Sequence, residues 1–158
     1  MKAKHRGWME EAIALARQNI QTNRGGPFGA IIVKGDRILA RGTNLVTSSM
    51  DPTAHAEIVA IRKACKLLKG FSLSGCDIYT SCEPCPMCLS AIYWARIRKI
   101  YFANSRLDAA RIGFDDNLLY KEITLPVSRR KLPAIQLMRN EALEAFLEWE
   151  KKKGKVRY

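Results

Sequence analysis

Apolar and polar residues recur along the chain with two periods, one typical of helices and the other typical of strands. Over residues 8–20 the apolar positions are three or four apart, which predicts an amphipathic helix. Ile13, Ala16 and Ile20 are expected on one side of this helix. The run FGAIIVKGDRILARGTN then places two β-rich segments around the Gly-Asp pair at 35–36, which predicts a hairpin. The chain therefore begins as helix, strand, strand.

Helices and strands continue to alternate after the hairpin. HAEIVAIRKACKLL, beginning at His55, predicts a helix, CDIYTSC a short strand, residues 86–95 another helix, and KIYFAN another strand. Residues 105–132 look rich in loops, AIQLM predicts a further strand, and EALEAFLEWEKKK predicts a final helix. The apolar stripe of that helix consists of Ala142, Ala145, Phe146 and Trp149. This alternation indicates a layered α/β protein with a mixed sheet.

Composition limits the domain count and the cellular setting. A chain of 158 residues with 47% hydrophobic content is expected to form one domain over residues 1–158, with a core of its own. It has neither a signal-peptide pattern nor an uninterrupted apolar run of membrane-spanning length. The five cysteines are an odd number in a chain without a secretion signal, which disfavours a disulfide framework. We therefore expect a cytoplasmic protein with no membrane partner.

The net charge of +12 leaves two interpretations open. Clustered lysines and arginines bind nucleic acid by releasing counterions from phosphate, but scattered ones only solvate a surface. Most basic residues here are interleaved with acids, and only the tail KKKGKVRY is a strong cluster. The charge alone therefore does not identify a nucleic-acid partner.

The cysteine spacing predicts part of a metal site. Cys85 and Cys88 are three residues apart, and Pro86 suits the first position of a helix, so both sulfurs would lie on one face of its first turn. A helix N-terminus favours the thiolate, the form that zinc binds. Cys82 forms an overlapping C-x-x-C but lies on the strand side, which suggests a supporting residue. Cys65 and Cys76 lack ligand spacing and are expected in the core.

His55 and Glu57 have both structural and chemical interpretations. Alone, His55 could be an ordinary residue at a helix start and Glu57 a solvated acid near a helix N-terminus. Together with two thiolates, His55 completes three zinc ligands, the number that leaves a fourth position for water. Glu57 could then move protons without binding the metal. On an ideal helix, however, residues 55 and 57 diverge by about 200°.

These two segments carry a resemblance to a known family. HAE at 55–57 with PCPMC at 84–88 fits the H-x-E and P-C-x-x-C signature of zinc nucleobase deaminases, and the chain resembles the cytidine deaminase superfamily over nearly its whole length. The segments GGPFGAIIVK, DPTAHAEIVAIRKAC, YTSCEPCPMCLSAIYWA and GFDD and the terminal tyrosine are similar to bacterial guanine deaminases. The resemblance implies a three-layer αβα fold around a mixed sheet of about five strands, with one Zn²⁺ per subunit.

The resemblance also assigns roles to single residues. It makes His55, Cys85 and Cys88 the zinc ligands and Glu57 the catalytic acid and base. The residues it implies for substrate binding are Phe28, Asn44, Trp94, Asp116 and the backbone N–H of Ala56. Asn44 could instead cap its strand, the aromatic residues could be plain core, and Asp115 could replace Asp116. Tyr158 is implied to close the active site of a partner subunit, through a C-terminal segment exchanged within a homodimer.

The implied reaction is hydrolysis of guanine to xanthine and ammonia, in purine catabolism or salvage, with a small purine base as the substrate rather than nucleic acid. One alternative is a tRNA adenosine deaminase, which would share the motif and suit the basic charge. A non-enzymatic alternative is a structural zinc module in which Cys82 is the fourth ligand.

Overall fold

The computed structural model describes residues 3–157, which form seven α-helices, four strands and one 3₁₀-helix. In chain order these are α1 (Ala3–Thr22), β1 (Gly29–Lys34), β2 (Arg37–Thr43), α2 (Val46–Ser49), α3 (Ala56–Leu68), β3 (Cys76–Cys82), α4 (Pro86–Trp94), β4 (Lys99–Asn104), α5 (Arg106–Arg111), α6 (Asn117–Thr124), the 3₁₀-helix (Val127–Arg129) and α7 (Arg139–Lys151). Within this range, no helix is long and apolar enough to cross a bilayer.

The predicted mixed sheet is confirmed, with four strands in the described chain rather than about five. Their order is β2-β1-β3-β4, in which β1 is antiparallel to β2 and β3, and β3 is parallel to β4. Gly35 has a φ of 58° in the turn between β1 and β2, as the hairpin prediction requires of a residue tolerant of positive φ. β3 and β4 begin and end where the sequence predicted.

The first unit of the chain, which ends at Asp116, is built in three layers. Along β1, Ala30 and Ile32 belong to one apolar cluster, whereas Ile31 and Val33 belong to another, because successive side chains of a strand point to opposite faces. Helices α3 and α4 cover the first face, and α1 covers the second. The free cysteine Cys76 is fully buried in the first cluster and Cys65 packs against it, which confirms their predicted core positions.

Of the three apolar residues expected on one side of α1, only Ala16 is buried. Ile13 and Ile20 are 38% and 59% exposed, and the buried residues of α1 are Ala12, Ala16 and Asn19. The reason is the close approach of α1 to the sheet, because a Cβ atom on Gly29 would collide with the backbone of Ala12 and Ala16. At this separation only small side chains fit between helix and strand, so the larger residues lie at the margins.

The predicted loop-rich segment, residues 105–132, is more helical than expected. α5 begins with a capping box, in which the Ser105 hydroxyl accepts a hydrogen bond from the Asp108 N–H and the Asp108 carboxylate accepts one from the Ser105 N–H. These two bonds satisfy groups that a short helix otherwise leaves unpaired. The S-x-x-D pattern was visible in the sequence, but the surrounding residues lack helical periodicity.

The second unit, which begins at Asn117, contains α6, the 3₁₀-helix and α7. The predicted strand AIQLM is wrong, because residues 134–138 have no regular secondary structure. A strand needs a neighbour for its backbone groups, and the described part of this unit contains only helices.

The predicted stripe of α7 is present, but Phe146 and Trp149 are 73% and 44% exposed. The single domain expected over residues 1–158 stays a prediction.

Gly42 of β2 allows α3 to pack directly on the sheet. A Cβ atom at this position would collide with the carbonyl oxygen of Ala56 and lie 2.7 Å from the nitrogen of Ala60. Both collisions involve backbone atoms, so α3 could accommodate a side chain only by moving as a whole. The position of the first turn of α3 therefore depends on Gly42.

We expect Gly42→Ala to lower the free energy of unfolding by about 1–3 kcal/mol, the usual cost of overpacking. The matched control is Gly7→Ala in α1, where a Cβ atom meets nothing within 4 Å. This change should raise the free energy of unfolding by about 0.5–1 kcal/mol, because alanine favours a helix over glycine. Urea unfolding of the two variants and the parent chain measures both changes. Equal stability of the Gly42→Ala variant and the parent would contradict this account of the packing.

Candidate metal centre

Two helices begin at the candidate metal centre, each preceded by one of its candidate ligands. His55 is the N-cap of α3 and Cys85 the N-cap of α4, and both have extended backbone, with ψ of 157° and 168°. Pro86 occupies the predicted first turn of α4. Because an N-cap residue lies outside the helical spiral, its side chain can extend past the end of the helix toward a shared site.

The structure brings together His55, Cys85 and Cys88, whose potential ligand atoms all lie within 4.8 Å of one another. The Nδ1 atom of His55 is 3.6 Å from the sulfur of Cys85 and 3.5 Å from that of Cys88. Two ligands bound tetrahedrally at zinc–nitrogen and zinc–sulfur bond lengths stand about 3.5 Å apart. Donor types and spacing therefore fit Zn²⁺ held by three protein ligands.

The angular conflict between His55 and Glu57 does not arise, because only Glu57 is inside the helix. As the N-cap, His55 is not bound to helical spacing, whereas Glu57 lies in the first turn. Glu57 is only 6% exposed, and burial raises its pKa above the ordinary value of a glutamate. A carboxyl group that is buried beside a metal centre and has a raised pKa is suited to receiving and returning a proton.

The three candidate ligands also polarise one another. A hydrogen bond from Cys88 is the largest cause that lowers the pKa of the Cys85 thiol, to about 4, and His55 adds to it. The hydrogen bond between His55 and Cys85 is the largest cause that raises the pKa of His55, because the imidazolium is stabilised next to a thiolate. Cys88 has a raised pKa, since it donates to Cys85 and is buried. The arrangement therefore favours the thiolate form of Cys85, and a thiolate is a preferred ligand of zinc.

Cys82 does not join this cluster, although it forms a C-x-x-C pattern with Cys85. Its sulfur lies 3.6 Å from the carbonyl oxygen of Ser105, at the end of β3, and it is absent from the one group of metal-ligating side chains among residues 3–157. Burial raises the pKa of Cys82 to about 11, so the protonated thiol is favoured. Its position agrees with a supporting residue and disfavours a closed four-ligand site.

Asn44 directly follows β2 and connects it to the loop before β1. It is 4% exposed, and its side-chain oxygen accepts hydrogen bonds of 3.2 Å from the N–H groups of Gly26 and Val46. Its own N–H donates to the carbonyl oxygen of Phe28 at 3.1 Å. Asn44 thus caps its strand, as one interpretation of the sequence held, but only its amide oxygen is occupied by that task.

Phe28 and Asp116 lie on segments that meet through an aromatic contact. The Phe28 ring packs edge-on against Phe114, with 4.9 Å between ring centroids. Asp115 is exposed, whereas Asp116 is partly buried. Burial raises the pKa of Asp116 and the charge of Cys85 adds to the rise, so Asp116 lies within electrostatic reach of the metal centre. The choice between Asp115 and Asp116 stays a prediction.

The remaining predicted site residues differ in how far the structure supports them. Ala56 is the first residue of α3 and fully buried, so its N–H is one of the four that the helix itself cannot satisfy. Trp94 is 66% exposed at the end of α4, roughly 13 Å along the helix axis from Cys85. Tyr158 lies outside the described residues. The roles assigned to Trp94 and Tyr158 stay predictions.

Sequence reasoning missed three residues around Asn44 and Phe28. Gly25 leaves no room for a side chain, because a Cβ atom there would collide with the backbone and side-chain oxygens of Asn44. Phe114 belongs to the GFDD segment, but the sequence predicted no role for it. Asn19 is a buried polar residue on an otherwise apolar helix face, and that departure from the pattern was the available signal.

Comparisons with known proteins agree with this geometry. Residues 2–104 match the family described as the cytidine and deoxycytidylate deaminase zinc-binding region. A guanine deaminase from Bacillus subtilis (strain 168) is 49% identical over 154 residues, which are 98% of this chain and 99% of that protein. A tRNA-specific adenosine deaminase from Buchnera aphidicola subsp. Schizaphis graminum (strain Sg) is 34% identical over 147 residues, 92% of this chain and 93% of that protein.

The fold comparison includes a close structural relative. The X-ray structure of guanine deaminase from Bacillus subtilis matches with a TM-score of 0.95 at 49% identity, covering 98% of each chain. The match extends through both units of the present chain.

We expect Cys82→Ser to retain a full equivalent of zinc, because Cys82 lies outside the ligand cluster. Cys88→Ser should lose most of the metal, since a hydroxyl replaces one of three ligands. Both changes are cysteine to serine at buried positions, so each serves as the control for the other. Elemental analysis after dialysis against a weak chelator measures the zinc. Zinc loss from the Cys82 variant would instead support a closed, four-ligand site.

Proposed function

Since the chain belongs to the cytidine and deoxycytidylate deaminase family, we propose that it hydrolyses guanine to xanthine and ammonia. The observation that carries this proposal is the buried Glu57 beside the His55, Cys85 and Cys88 cluster, in a chain 49% identical to a guanine deaminase over nearly its full length. Zinc held by a histidine and two thiolates, when bound, acts as a Lewis acid that brings the pKa of a water ligand toward neutrality.

Glu57 performs the proton transfers in this proposal. Its carboxylate takes a proton from the attacking water and delivers it to the ring nitrogen next to the amine-bearing C2 of guanine. A second transfer carries the remaining proton of the added oxygen to the amine, and the C2–N bond breaks to release ammonia as the C2 carbonyl forms. The overall change is guanine plus water to xanthine plus ammonia, and Glu57 returns to its initial protonation state. Its raised pKa suits a group that must both accept and donate.

In this proposal, the residues expected to bind substrate are assigned to the edges and the face of a purine. Asn44 holds backbone N–H groups with its amide oxygen, which leaves its NH₂ group to donate to a ring nitrogen or the O6 of guanine. Asp116 would accept from a ring N–H. The Ala56 N–H would donate to the oxygen that adds to C2, and Phe28 would pack against the base. A base with the wrong pattern would leave buried groups unpaired.

The proposal includes a homodimer in which the C-terminal segment is exchanged between subunits. The helices described in residues 117–157 contain no buried residue. Several apolar side chains of this unit are more than half exposed, namely Leu132, Ile135, Leu137, Phe146 and Val156. Apolar surface of this extent favours a partner, and exchange between identical chains is a common route to a dimer. In that dimer Tyr158 closes the partner's site, and Trp94 contributes to the base pocket.

Zinc-binding thiols must stay reduced, which favours a cytoplasmic location for the enzyme.

The alternative function, deamination of a tRNA adenosine, is supported by the 34% identity to such an enzyme and by the charge of +12. The two activities differ in their response to salt, because phosphate contacts weaken steeply as salt rises, whereas binding of an uncharged base does not depend on them.

We expect the zinc-loaded chain to release ammonia from guanine and not from cytosine or an RNA adenosine. Glu57→Ala should keep its zinc and lose about 10²–10⁴-fold in kcat, because it lacks the proton carrier. Glu10→Ala, at an exposed position of α1, is the control and should match the parent. Ammonia release and bound zinc are measured on the same samples. Activity on an RNA adenosine without activity on guanine would refute the proposed substrate.

We expect activity to reappear when two inactive chains exchange subunits. One chain carries Glu57→Ala, and the other lacks Tyr158. A mixed dimer contains one intact site, with Glu57 from the truncated chain and Tyr158 from its partner. Guanine deamination after mixing, with mixed dimers verified by mass, supports the exchange. Inactive mixed dimers would mean that the tail acts on its own chain, and full activity of the truncated chain alone would exclude a catalytic part for Tyr158.

A further inference from the structure

We infer that Asn19, on α1, is a positioning residue for base recognition, which it serves by holding Asn44 and the loop before β1 in place. Asn19 is 3% exposed and lies on the face of α1 that packs against the sheet. Among residues 3–157, the side-chain hydrogen bonds of Asn19 go to Gly26, Asn44 and Thr22 and to no candidate metal ligand, so its effect on the reaction must pass through another residue. The inference rests on the proposed function, because it assigns Asn44 to the base.

The two hydrogens of the Asn19 amide are both used on neighbouring segments. Its Nδ2 atom donates to the carbonyl oxygen of Gly26 at 2.8 Å and to that of Asn44 at 2.9 Å. Gly26 belongs to the loop that follows α1, and Asn44 follows β2. One side chain of the helix thus fixes the distance between the loop and the end of the strand. A side chain with a single donor could hold only one of the two carbonyl groups.

The same two segments are joined a second time through the side chain of Asn44. Its oxygen accepts from the N–H groups of Gly26 and Val46, and its backbone N–H donates to Phe28. Gly26 therefore takes part in both links, through its carbonyl oxygen with Asn19 and through its N–H with Asn44. A movement of Gly26 would change the orientation of the Asn44 amide.

The Asn44 amide is left with an available donor. Its oxygen is taken by two backbone N–H groups, which fixes the side on which the NH₂ group lies. No buried side-chain nitrogen or oxygen among residues 3–157 lacks a hydrogen-bond partner. Since no protein partner of the Asn44 Nδ2 atom is present in that part of the chain, this atom is accessible to solvent or to a ligand. Asn19 thus supports the donor that the base would meet.

The packing leaves little tolerance around this link. Gly25 is in contact with Asn44, and a Cβ atom there would collide with both of its oxygens. A Cβ atom on Gly26 would lie 3.0 Å from the rings of Phe28 and Phe114. A loop packed so closely on both sides cannot shift without moving Asn44 or Phe28, and both of these are proposed base contacts.

The test is a double-mutant cycle on guanine binding, made in a Glu57→Ala background so that no turnover occurs. We expect Asn19→Ala to raise the Kd for guanine roughly tenfold, the effect of weakening one or two hydrogen bonds. In a chain that also carries Asn44→Ala, the same change should alter the Kd less than twofold. Gln18→Ala, the exposed neighbouring amide on α1, is the control and should leave the Kd unchanged.

A second measurement does not need a substrate. Hydrogen exchange at the Gly26 and Val46 amides, which bond to the Asn44 side chain, should be faster in Asn19→Ala than in Gln18→Ala. If Asn19→Ala fails to fold, Asn19→Ser is used, which keeps one donor and should have an intermediate effect on both readouts. Zinc content is expected to stay at one equivalent in all of these variants.

The outcomes separate the inference from the proposed function. The Glu57→Ala chain could fail to bind guanine while Asn19→Ala still speeds hydrogen exchange at the Gly26 and Val46 amides. That result would refute guanine as the substrate and leave the positioning of Asn44 by Asn19 intact. Equal effects of the Asn19 change with and without Asn44 would overturn the inference, since they would indicate a general loss of structure. Unchanged exchange at Gly26 and Val46 would overturn it as well.

Discussion

The start of α3 is the constraint from which the chemistry of the site follows. His55 has extended backbone and the helix begins at the next residue, so three successive residues acquire three different tasks. His55 faces the thiols, Ala56 presents an N–H that the helix cannot use, and Glu57 is buried in the first turn. A shift of the helix start by one residue would separate all three. The beginning of α4 repeats the arrangement with Cys85 and Cys88.

Close packing on small residues positions α3 and α1 against the sheet. Gly42 lets the backbone of α3 contact β2, and Gly29 does the same for α1 on the other face. Asn44 directly follows β2, two residues after Gly42. The same strand therefore positions both the helix that carries Glu57 and Asn44, which is proposed to contact the base. Sites supported by strands and helix ends of this kind keep their geometry better than sites built on loops alone.

The sequence predicted those features that depend on neighbours within a few residues. The ligand cluster was legible in HAE and PCPMC, and β3 and β4 in their apolar runs, because each pattern is local. The buried face of α1 was not legible, since whether Ile13 or Ala12 is buried depends on how closely the helix approaches Gly29. AIQLM has the composition of a strand, but residues 117–157 of its unit contain no strand that could pair with it. The role inferred for Asn19 could not be predicted, because it depends on hydrogen bonds to the carbonyl oxygens of Gly26 and Asn44 that only the fold brings near.

The placement of the ligands has a consequence for the folding of the chain. His55 and Cys85 are 30 residues apart in the sequence, and they precede different helices. An ion that binds both closes a loop that contains all of α3 and β3. The affinity of such a site then contributes to the cohesion of the first unit, because an unfolded chain has no preformed cluster to offer. A bound metal therefore links the starts of two helices in addition to taking part in catalysis. Its removal by a chelator should lower the stability of the first unit as well as abolish activity.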